Sequence, residues 1–231
     1  MFGKNPIRSQ VRSDGQRLWV QEIFHTIQGE GPLQGHPAIF LRLGGCNLRC
    51  FWCDTDFESS AWKPNLDEVT AKIKKISDET GTKQVILTGG EPFRQNIGPL
   101  LMDLLGIGIH VQIETNGTLW VDIPEHPNLS IVCSPKTPTL NDKLRRRATA
   151  FKYVIGAEDL DAPDGLPTLS TQIKGKKERM AKAPKDVPIY ISPRDDCNSD
   201  KNAANMRACV EIAMKKNYIL SVQLHKIIGV D

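Results

Sequence analysis

The chain has 231 residues, of which 39% are hydrophobic and 25% are charged, and its 30 Lys and Arg against 27 Asp and Glu give a formal net charge of +3. This composition is typical of a globular protein, and the charge is too small to indicate a nucleic-acid partner. No apolar run approaches the roughly 20 residues of a membrane-spanning helix and no signal-peptide pattern is present, so we expect a cytoplasmic protein without a membrane partner.

Predicted strands and helices alternate along most of the chain, after a first segment that we expect to be a flexible or peripheral extension (residues 1–17). Residues 18–231 are expected to form a single domain. The predicted strands cover residues 18–26, 38–43, 84–88, 110–114, 130–133, 151–155, 188–192 and 219–227. The predicted helices comprise one from the N-cap Asn65 to Gly81, one over 97–105, one capped by Ser199 and ending near Lys216, and a short one around 176–182.

This alternation predicts parallel β/α units, arranged as an open sheet, a barrel or a partial barrel. A complete eight-fold barrel would be cramped in the roughly 190 residues that remain for it. We therefore expect an α/β fold, an incomplete TIM-like β/α barrel of about six parallel strands with an N-terminal extension.

The run GGCNLRCFWCDTDF places Cys46, Cys50 and Cys53 in a CxxxCxxC pattern. Cytosolic thiols stay reduced, so metal binding is a better interpretation of this cluster than disulfides. Three thiolates leave one position open in a four-position site, which is typical of a site built for chemistry. The alternative is a structural zinc site completed by His25, His36 or another Cys.

The cysteine pattern, with Trp52 as the aromatic residue before the last thiol, resembles the CxxxCxΦC signature of the radical S-adenosylmethionine (SAM) superfamily. The run ILTGGEP, with Gly89, Gly90 and Glu91, is similar to the GGE motif of that family. The resemblance implies a [4Fe-4S] cluster whose open iron binds the methionine part of SAM, and reductive cleavage of SAM to a 5′-deoxyadenosyl radical.

A longer resemblance narrows the family. The segment EIFHTIQGEGPLQGHPAIFLRLGGCNLRCFWCDTDF is similar to the N-terminal region of the 7-carboxy-7-deazaguanine synthases, and IETNGT, CSPK and QLHKIIG resemble their later segments. It implies a radical ring contraction of 6-carboxy-5,6,7,8-tetrahydropterin to 7-carboxy-7-deazaguanine with loss of ammonia, a carbon–nitrogen lyase reaction of queuosine-type biosynthesis. It also implies a Mg²⁺ ion and a homodimer.

The same resemblance assigns roles to individual residues. The implied substrate contacts are Ile27, Gln28, Gly29, Arg42, Thr88 and Glu114. The implied SAM contacts are Trp52, Cys53, Asp54, Gly90, Glu91, Ser134 and Lys136. Among them, Glu91 is the implied acceptor for the methionine ammonium. Thr55 is the implied Mg²⁺ ligand.

Alternatives remain open at several of these positions. Arg42 would meet the substrate carboxylate with a bidentate guanidinium, or be a strand residue facing solvent. Asp54 and Asp56 are oxygen donors that could replace Thr55 as Mg²⁺ ligands. Glu114 would bind a ribose hydroxyl or a substrate nitrogen, or pair with a surface Lys.

The sequence is also compatible with two other functions, a glycyl-radical-enzyme activating enzyme and a non-catalytic zinc-binding module. The basic run at residues 145–147 is expected to be a solvated helix face rather than an RNA site, because no aromatic residues interleave with it. It would equally suit a negatively charged electron donor such as flavodoxin.

Overall fold

In the part of the chain that the structure describes, eight strands form one sheet in the order in which they occur along the sequence. The structure, a computed structural model, describes residues 3–159 and 162–230. The strands are β1 (Val20–Ile27), β2 (Pro37–Leu43), β3 (Gln84–Gly89), β4 (His110–Thr115), β5 (Leu129–Cys133), β6 (Ala150–Ile155), β7 (Ile189–Pro193) and β8 (Ile219–Leu220). The helices are α1 (Leu66–Thr80), α2 (Gly98–Gly106), α3 (Asp142–Arg147), α4 (Ser199–Lys216) and α5 (Leu224–Ile228).

The sheet confirms the expected α/β partial barrel. Strand β1 is antiparallel to β2, and β2 to β8 run parallel to one another. Parallel neighbours need a crossover between them, and here the crossovers include helices α1 to α4. The parallel set counts seven strands rather than about six, the last with only two residues, and β1 extends it at one edge.

Local signals explain where the long helices begin and end. In α1 the Asn65 side chain accepts from the Glu68 amide at 2.9 Å and the Glu68 carboxylate accepts from the Asn65 amide at 2.8 Å, a capping box. Gly81 ends that helix with a φ of 72°. The cap of α4 is Asn198 rather than Ser199, because Asn198 accepts from the Lys201 amide.

Among the described residues, no helix has the length and apolarity to cross a membrane.

Two predicted elements are wrong. No helix forms around residues 176–182, where Leu169 and Lys177 pair instead as an isolated bridge. The final strand is confined to Ile219–Leu220, and α5 follows it. Its chain leaves the sheet because the Leu224 amide donates to the Gly29 carbonyl, in the turn after β1, at 3.0 Å.

The N-terminal segment, residues 3–17, lies along the rest of the chain. Ile7 pairs with Cys46 and Arg17 with Asn65, and the Val11 amide donates to the Arg94 carbonyl at 2.7 Å. The division into an extension and one domain stays a prediction, but the Ile7–Cys46 bridge joins the segment to the loop that carries the cysteines.

The two faces of the sheet differ in character. On one face α1 and α2 bury Val69, Ile73 and Leu101 against β-strand residues such as Leu87, in one continuous apolar core. Successive strand residues point to opposite faces, so the alternate positions face away from this core. They line a cavity on the inner side of the curved sheet.

Candidate active site

A cavity of about 420 Å³ occupies the inner side of the partial barrel. Strands β1 to β7 contribute alternate side chains to it: Glu22, Phe24, Phe40, Arg42, Thr88, Glu114, Val132, Lys152, Val154 and Ser192. The loop after β2 contributes the cysteines, and the chain around α5 contributes Gln223, His225 and Lys226. The cavity therefore combines the three thiols with charged and polar side chains from the sheet.

All three cysteines of the CxxxCxxC pattern line this cavity as free thiols. Burial raises the pKa of Cys46 to about 12 and that of Cys53 to about 11. The Gln172 side-chain amide donates to the Cys50 sulfur at 3.2 Å. With these raised pKa values the Cys46 and Cys53 thiols are protonated in the absence of metal, and a metal that binds them displaces the protons.

The donor set fits an iron–sulfur cluster. Within residues 3–159 and 162–230, no three His, Cys, Asp or Glu side chains converge closely enough to hold one metal ion. The thiolates of a [4Fe-4S] cluster each bind a different iron, so they need not converge on a point. Three soft thiol donors facing one cavity match that arrangement.

Gly89 and Gly90 allow two loops to meet behind the cysteines. A Cβ on Gly90 would collide with the Gly45 carbonyl, and one on Gly89 would collide with the backbone of Leu43. The Gly90 amide donates to the Leu43 carbonyl at 3.1 Å and the Glu91 amide to the Gly45 carbonyl at 3.0 Å. The close approach that these glycines permit is therefore between the GGE loop and the cysteine loop.

Glu91 lies in the core and is not among the residues that line the cavity. Its carboxylate accepts from the Thr115 hydroxyl and from the Asn116 amide, both at 2.7 Å, and from the Phe93 amide at 3.0 Å. Burial raises its pKa to about 7. These contacts hold the loop after β3 to the loop after β4, and its predicted role as the ammonium acceptor for SAM stays a prediction.

The other residues predicted to bind SAM also line the cavity. Lys136 donates to the hydroxyl of Ser134 and to its carbonyl, the latter at 3.1 Å, and its Nζ lies 5.6 Å from the Trp52 ring centroid. Burial lowers the pKa of Lys136. Asp54, at the rim, accepts from Lys226 Nζ at 3.2 Å.

The residues predicted to bind substrate form a hydrogen-bonded set. Gln28, 3% exposed, donates to one oxygen of Glu114 at 2.9 Å, and the Thr88 hydroxyl reaches the other at 3.5 Å. Ile27 and Gly29 line the cavity beside them. A Cβ on Gly29 would collide with the His225 ring, so the glycine permits α5 to close against this turn.

Arg42 lines the cavity from β2, with its side chain 19% exposed. Its Nε donates to the Glu22 carboxylate at 2.7 Å, and the guanidinium lies 5.8 Å from the Phe24 ring centroid. The remaining guanidinium donors are the groups that a ligand carboxylate would use.

Thr55 also lines the cavity, as do Asp54 and Asp56. The Thr55 hydroxyl donates to Asp54 at 3.3 Å. Asp56 accepts instead from the amides of Glu58 and Ser59 at 3.0 and 3.2 Å, which is the hydrogen bonding of a turn.

Sequence reasoning missed the charged residues that close the cavity. Lys152 on β6 pairs with Glu30, and Gln223 donates to the other Glu30 oxygen at 2.9 Å. Lys226 bridges Asp54 and Asp195, at 3.2 and 2.6 Å. The QLHKIIG and TIQGEG segments contain several of these residues, so the resemblance pointed to the segments without assigning the side chains.

Comparisons with known proteins agree with this geometry. A family model described as the radical SAM superfamily matches residues 41–152. The chain is 52% identical to the 7-carboxy-7-deazaguanine synthase of Rhodospirillum rubrum, with both chains covered in full, and 38% identical to that of Rickettsia prowazekii, with 100% of this chain and 96% of the relative covered. It is also similar to the crystal structure of QueE from Escherichia coli, with a TM-score of 0.65 and 28% identity over 90% of this chain and 95% of that one.

Proposed function

The chain belongs to the 7-carboxy-7-deazaguanine synthase family within the radical SAM superfamily, and from this membership we propose that it contracts the ring of 6-carboxy-5,6,7,8-tetrahydropterin to 7-carboxy-7-deazaguanine, with loss of ammonia. One structural observation supports this activity. The three thiols share a single cavity with Arg42 and with the set formed by Gln28, Thr88 and Glu114.

Family membership implies a [4Fe-4S] cluster and SAM. Cys46, Cys50 and Cys53 would hold the cluster, since they are the thiols that face the cavity. When bound, the cluster and SAM supply an electron and the abstraction of a hydrogen atom from the substrate. The protein supplies placement and exclusion of water, because the cavity is closed on one side by the sheet and on another by α5.

SAM would lie between Trp52, Ser134, Lys136 and the backbone near Gly90. The support is positional, since these residues come from the cysteine loop and the ends of β3 and β5, next to the thiols. Lys136 lies over the Trp52 ring and donates to Ser134, so these contacts hold the residues of this wall to one another.

The substrate would lie against Arg42 and the Glu114 set. A guanidinium offers a carboxylate two parallel hydrogen bonds, which fix orientation as well as charge. The Glu114 carboxylate, held by the Gln28 amide and the Thr88 hydroxyl, presents acceptor oxygens to the donor edge of a pterin. Glu22 holds Arg42 through Nε, which leaves the outer nitrogens for the substrate.

We assign Mg²⁺ to Thr55 within this proposal. Thr55 lines the cavity, and its hydroxyl donates to the adjacent Asp54. Mg²⁺ takes oxygen ligands and keeps several waters, so one hydroxyl together with substrate oxygens forms a suitable site.

The proposal extends to a homodimer and to an acidic electron donor such as flavodoxin. Arg145 and Arg146 are exposed in the last turn of α3, and we assign this basic surface to the acidic donor and not to a nucleic acid. Light scattering of purified protein tests the dimer. Replacing both arginines by Glu tests the donor, with loss of flavodoxin-driven but not dithionite-driven turnover as the expected result.

One assay tests the central proposal. Anaerobic protein reconstituted with iron and sulfide is incubated with SAM, dithionite, Mg²⁺ and the carboxypterin, and 7-carboxy-7-deazaguanine is the expected product. Cys50→Ala, which removes one cluster ligand, is the matched inactive control. An intact cluster that cleaves SAM without forming this product would reject the substrate assignment, and bound zinc without iron would reject the radical chemistry.

A further inference from the structure

The N-terminal segment 3–11, here called the strap, follows the cysteine loop closely. The Arg8 amide donates to the Cys46 carbonyl at 2.7 Å, and Ile7 pairs with Cys46 in a parallel bridge. Arg49 Nε donates to the Asn5 carbonyl at 2.8 Å. A Cβ on Gly3 would collide with the Phe51 carbonyl, so the strap also approaches the far end of the loop.

Arg94, only 4% exposed, fastens the strap to the opposite side of the loop. Its guanidinium donates to the Ser9 carbonyl at 3.3 Å and to the Gly44 carbonyl at 2.9 Å. Its own carbonyl accepts from the Val11 amide, and its guanidinium lies 5.4 Å from the Trp19 ring centroid. The strap is therefore held in register with the residues that precede Cys46.

Asn5 is the strap residue that reaches the cavity. It lines the same cavity as Cys46, Leu48 and Cys50. Its side-chain amide nitrogen is buried, and among the described residues it has no hydrogen-bond partner. A buried hydrogen-bond donor without an acceptor costs free energy. We therefore expect a ligand bound in the cavity to supply the acceptor for this amide.

We propose that the strap is part of the cluster site and that the Asn5 side-chain amide donates a hydrogen bond to a sulfur of the [4Fe-4S] cluster. The inference rests on the cluster assignment of the proposed function. A hydrogen bond to a cluster sulfur stabilises the reduced, more negative state and raises the reduction potential. The strap also limits the exposure of the cluster to solvent, which acts on the same potential.

The test compares two substitutions within the strap. Asn5→Leu removes the donor at similar side-chain size. Ser9→Leu introduces the same residue at an exposed position of the strap, where the backbone carbonyl and not the side chain contacts Arg94. The midpoint potential of the reconstituted cluster is measured by a redox titration monitored by electron paramagnetic resonance. We expect a more negative potential in Asn5→Leu and an unchanged one in Ser9→Leu.

Each outcome separates the inference from the proposed function. Equal potentials in Asn5→Leu and the unsubstituted protein overturn the inference, as does weaker SAM binding at an unchanged potential, which would assign the amide to SAM. Absence of iron and sulfide from the unsubstituted protein rejects the proposed function instead. If Asn5→Leu does not assemble a cluster, Asn5→Ala decides, because it removes the amide donor without adding bulk or charge and is expected to give a more negative potential.

Discussion

Lys152 pairs with Glu30 across the cavity, joining β6 to the turn after β1, with side chains only 10% and 16% exposed. Burial opposes ionisation of Glu30, but the charge and hydrogen bond of Lys152 outweigh it and lower the pKa of Glu30 to about 2. The pKa of Lys152 is raised, since the negative charges of Glu114 and Glu30 outweigh its burial. The pair therefore ties the N-terminal and C-terminal halves of the partial barrel.

Glu30→Gln is expected to lower the free energy of unfolding by about 3 kcal/mol at pH 7, because it leaves Lys152 charged and buried without this partner. A carboxyl with a depressed folded pKa stabilises the fold above its unfolded pKa of about 4.5 and loses that stabilisation as the pH falls toward 2. The difference between the two proteins should therefore shrink over that range. Anaerobic urea unfolding at several pH values measures it.

The matched control is Asp78→Asn, which breaks the exposed Lys74–Asp78 pair on α1. That pair is solvent-screened, so its loss should change the free energy of unfolding by less than about 0.5 kcal/mol. Equal effects of the two substitutions would show that the buried Glu30–Lys152 pair contributes no more to the free energy of unfolding than an exposed pair.

Glu91→Gln is expected to destabilise the cluster-free protein by about 1–3 kcal/mol. Both carboxylate oxygens accept hydrogen bonds, and the Gln amide group would place a donor against one of those partners. Glu68→Gln is the control, because Gln also completes a capping box. Thermal unfolding without SAM makes the comparison, and unchanged stability with weaker SAM binding would instead support the ammonium role.

Gly90→Ala is expected to destabilise the protein by about 1–3 kcal/mol and to impair cluster assembly, since the added Cβ meets the Gly45 carbonyl and that backbone has to move. Gly106→Ala, at the end of α2, meets nothing within 4 Å and should be neutral or stabilising by up to about 1 kcal/mol. Iron content and thermal unfolding of the two variants test the contrast. Full cluster loading in Gly90→Ala would show that the loops can separate without harm.

Arg42→Lys is expected to raise KM for the carboxypterin about tenfold, because an ammonium cannot make the bidentate contact with a carboxylate. Cleavage of SAM without substrate should stay unchanged. Glu22→Gln is the comparison, since the Gln side-chain carbonyl can still accept from Arg42 Nε, and its KM should stay closer to that of the unsubstituted protein than the KM of Arg42→Lys. An unchanged KM in Arg42→Lys would place the substrate carboxylate elsewhere.

The elements that were predicted from sequence are those with local causes. The α1 signal is complete within the chain from Asn65 to Gly81, where a capping box, helical spacing and a left-handed glycine coincide. The end of the chain was misassigned because α5 forms against the Gly29 carbonyl, a contact that no local pattern encodes. Short-range chemistry therefore located the strands and long helices, and tertiary contacts decided the rest.

The same division holds for the site. The cysteine spacing and the GGE motif indicated the cavity wall because each is a short local pattern. Glu30 and Lys152 are 122 positions apart, and Gln28 and Glu114 are 86 apart, so only the closure of the sheet reveals these pairs. The strap escaped prediction for the same reason, since its polar sequence lacks any strand pattern and its partners lie in the cysteine loop.

Thr55→Ala is expected to raise the Mg²⁺ concentration needed for half-maximal turnover, because it removes the hydroxyl assigned to the ion. Thr55 is a better candidate than Asp56, whose carboxylate already accepts from the Glu58 and Ser59 amides. Thr55→Ser keeps the hydroxyl and should keep the Mg²⁺ response. The readout is product formation across a Mg²⁺ titration, with SAM cleavage in the absence of substrate as the control that the cluster is intact. A Mg²⁺ response that changes in Asp54→Asn and not in Thr55→Ala would move the ion to that carboxylate.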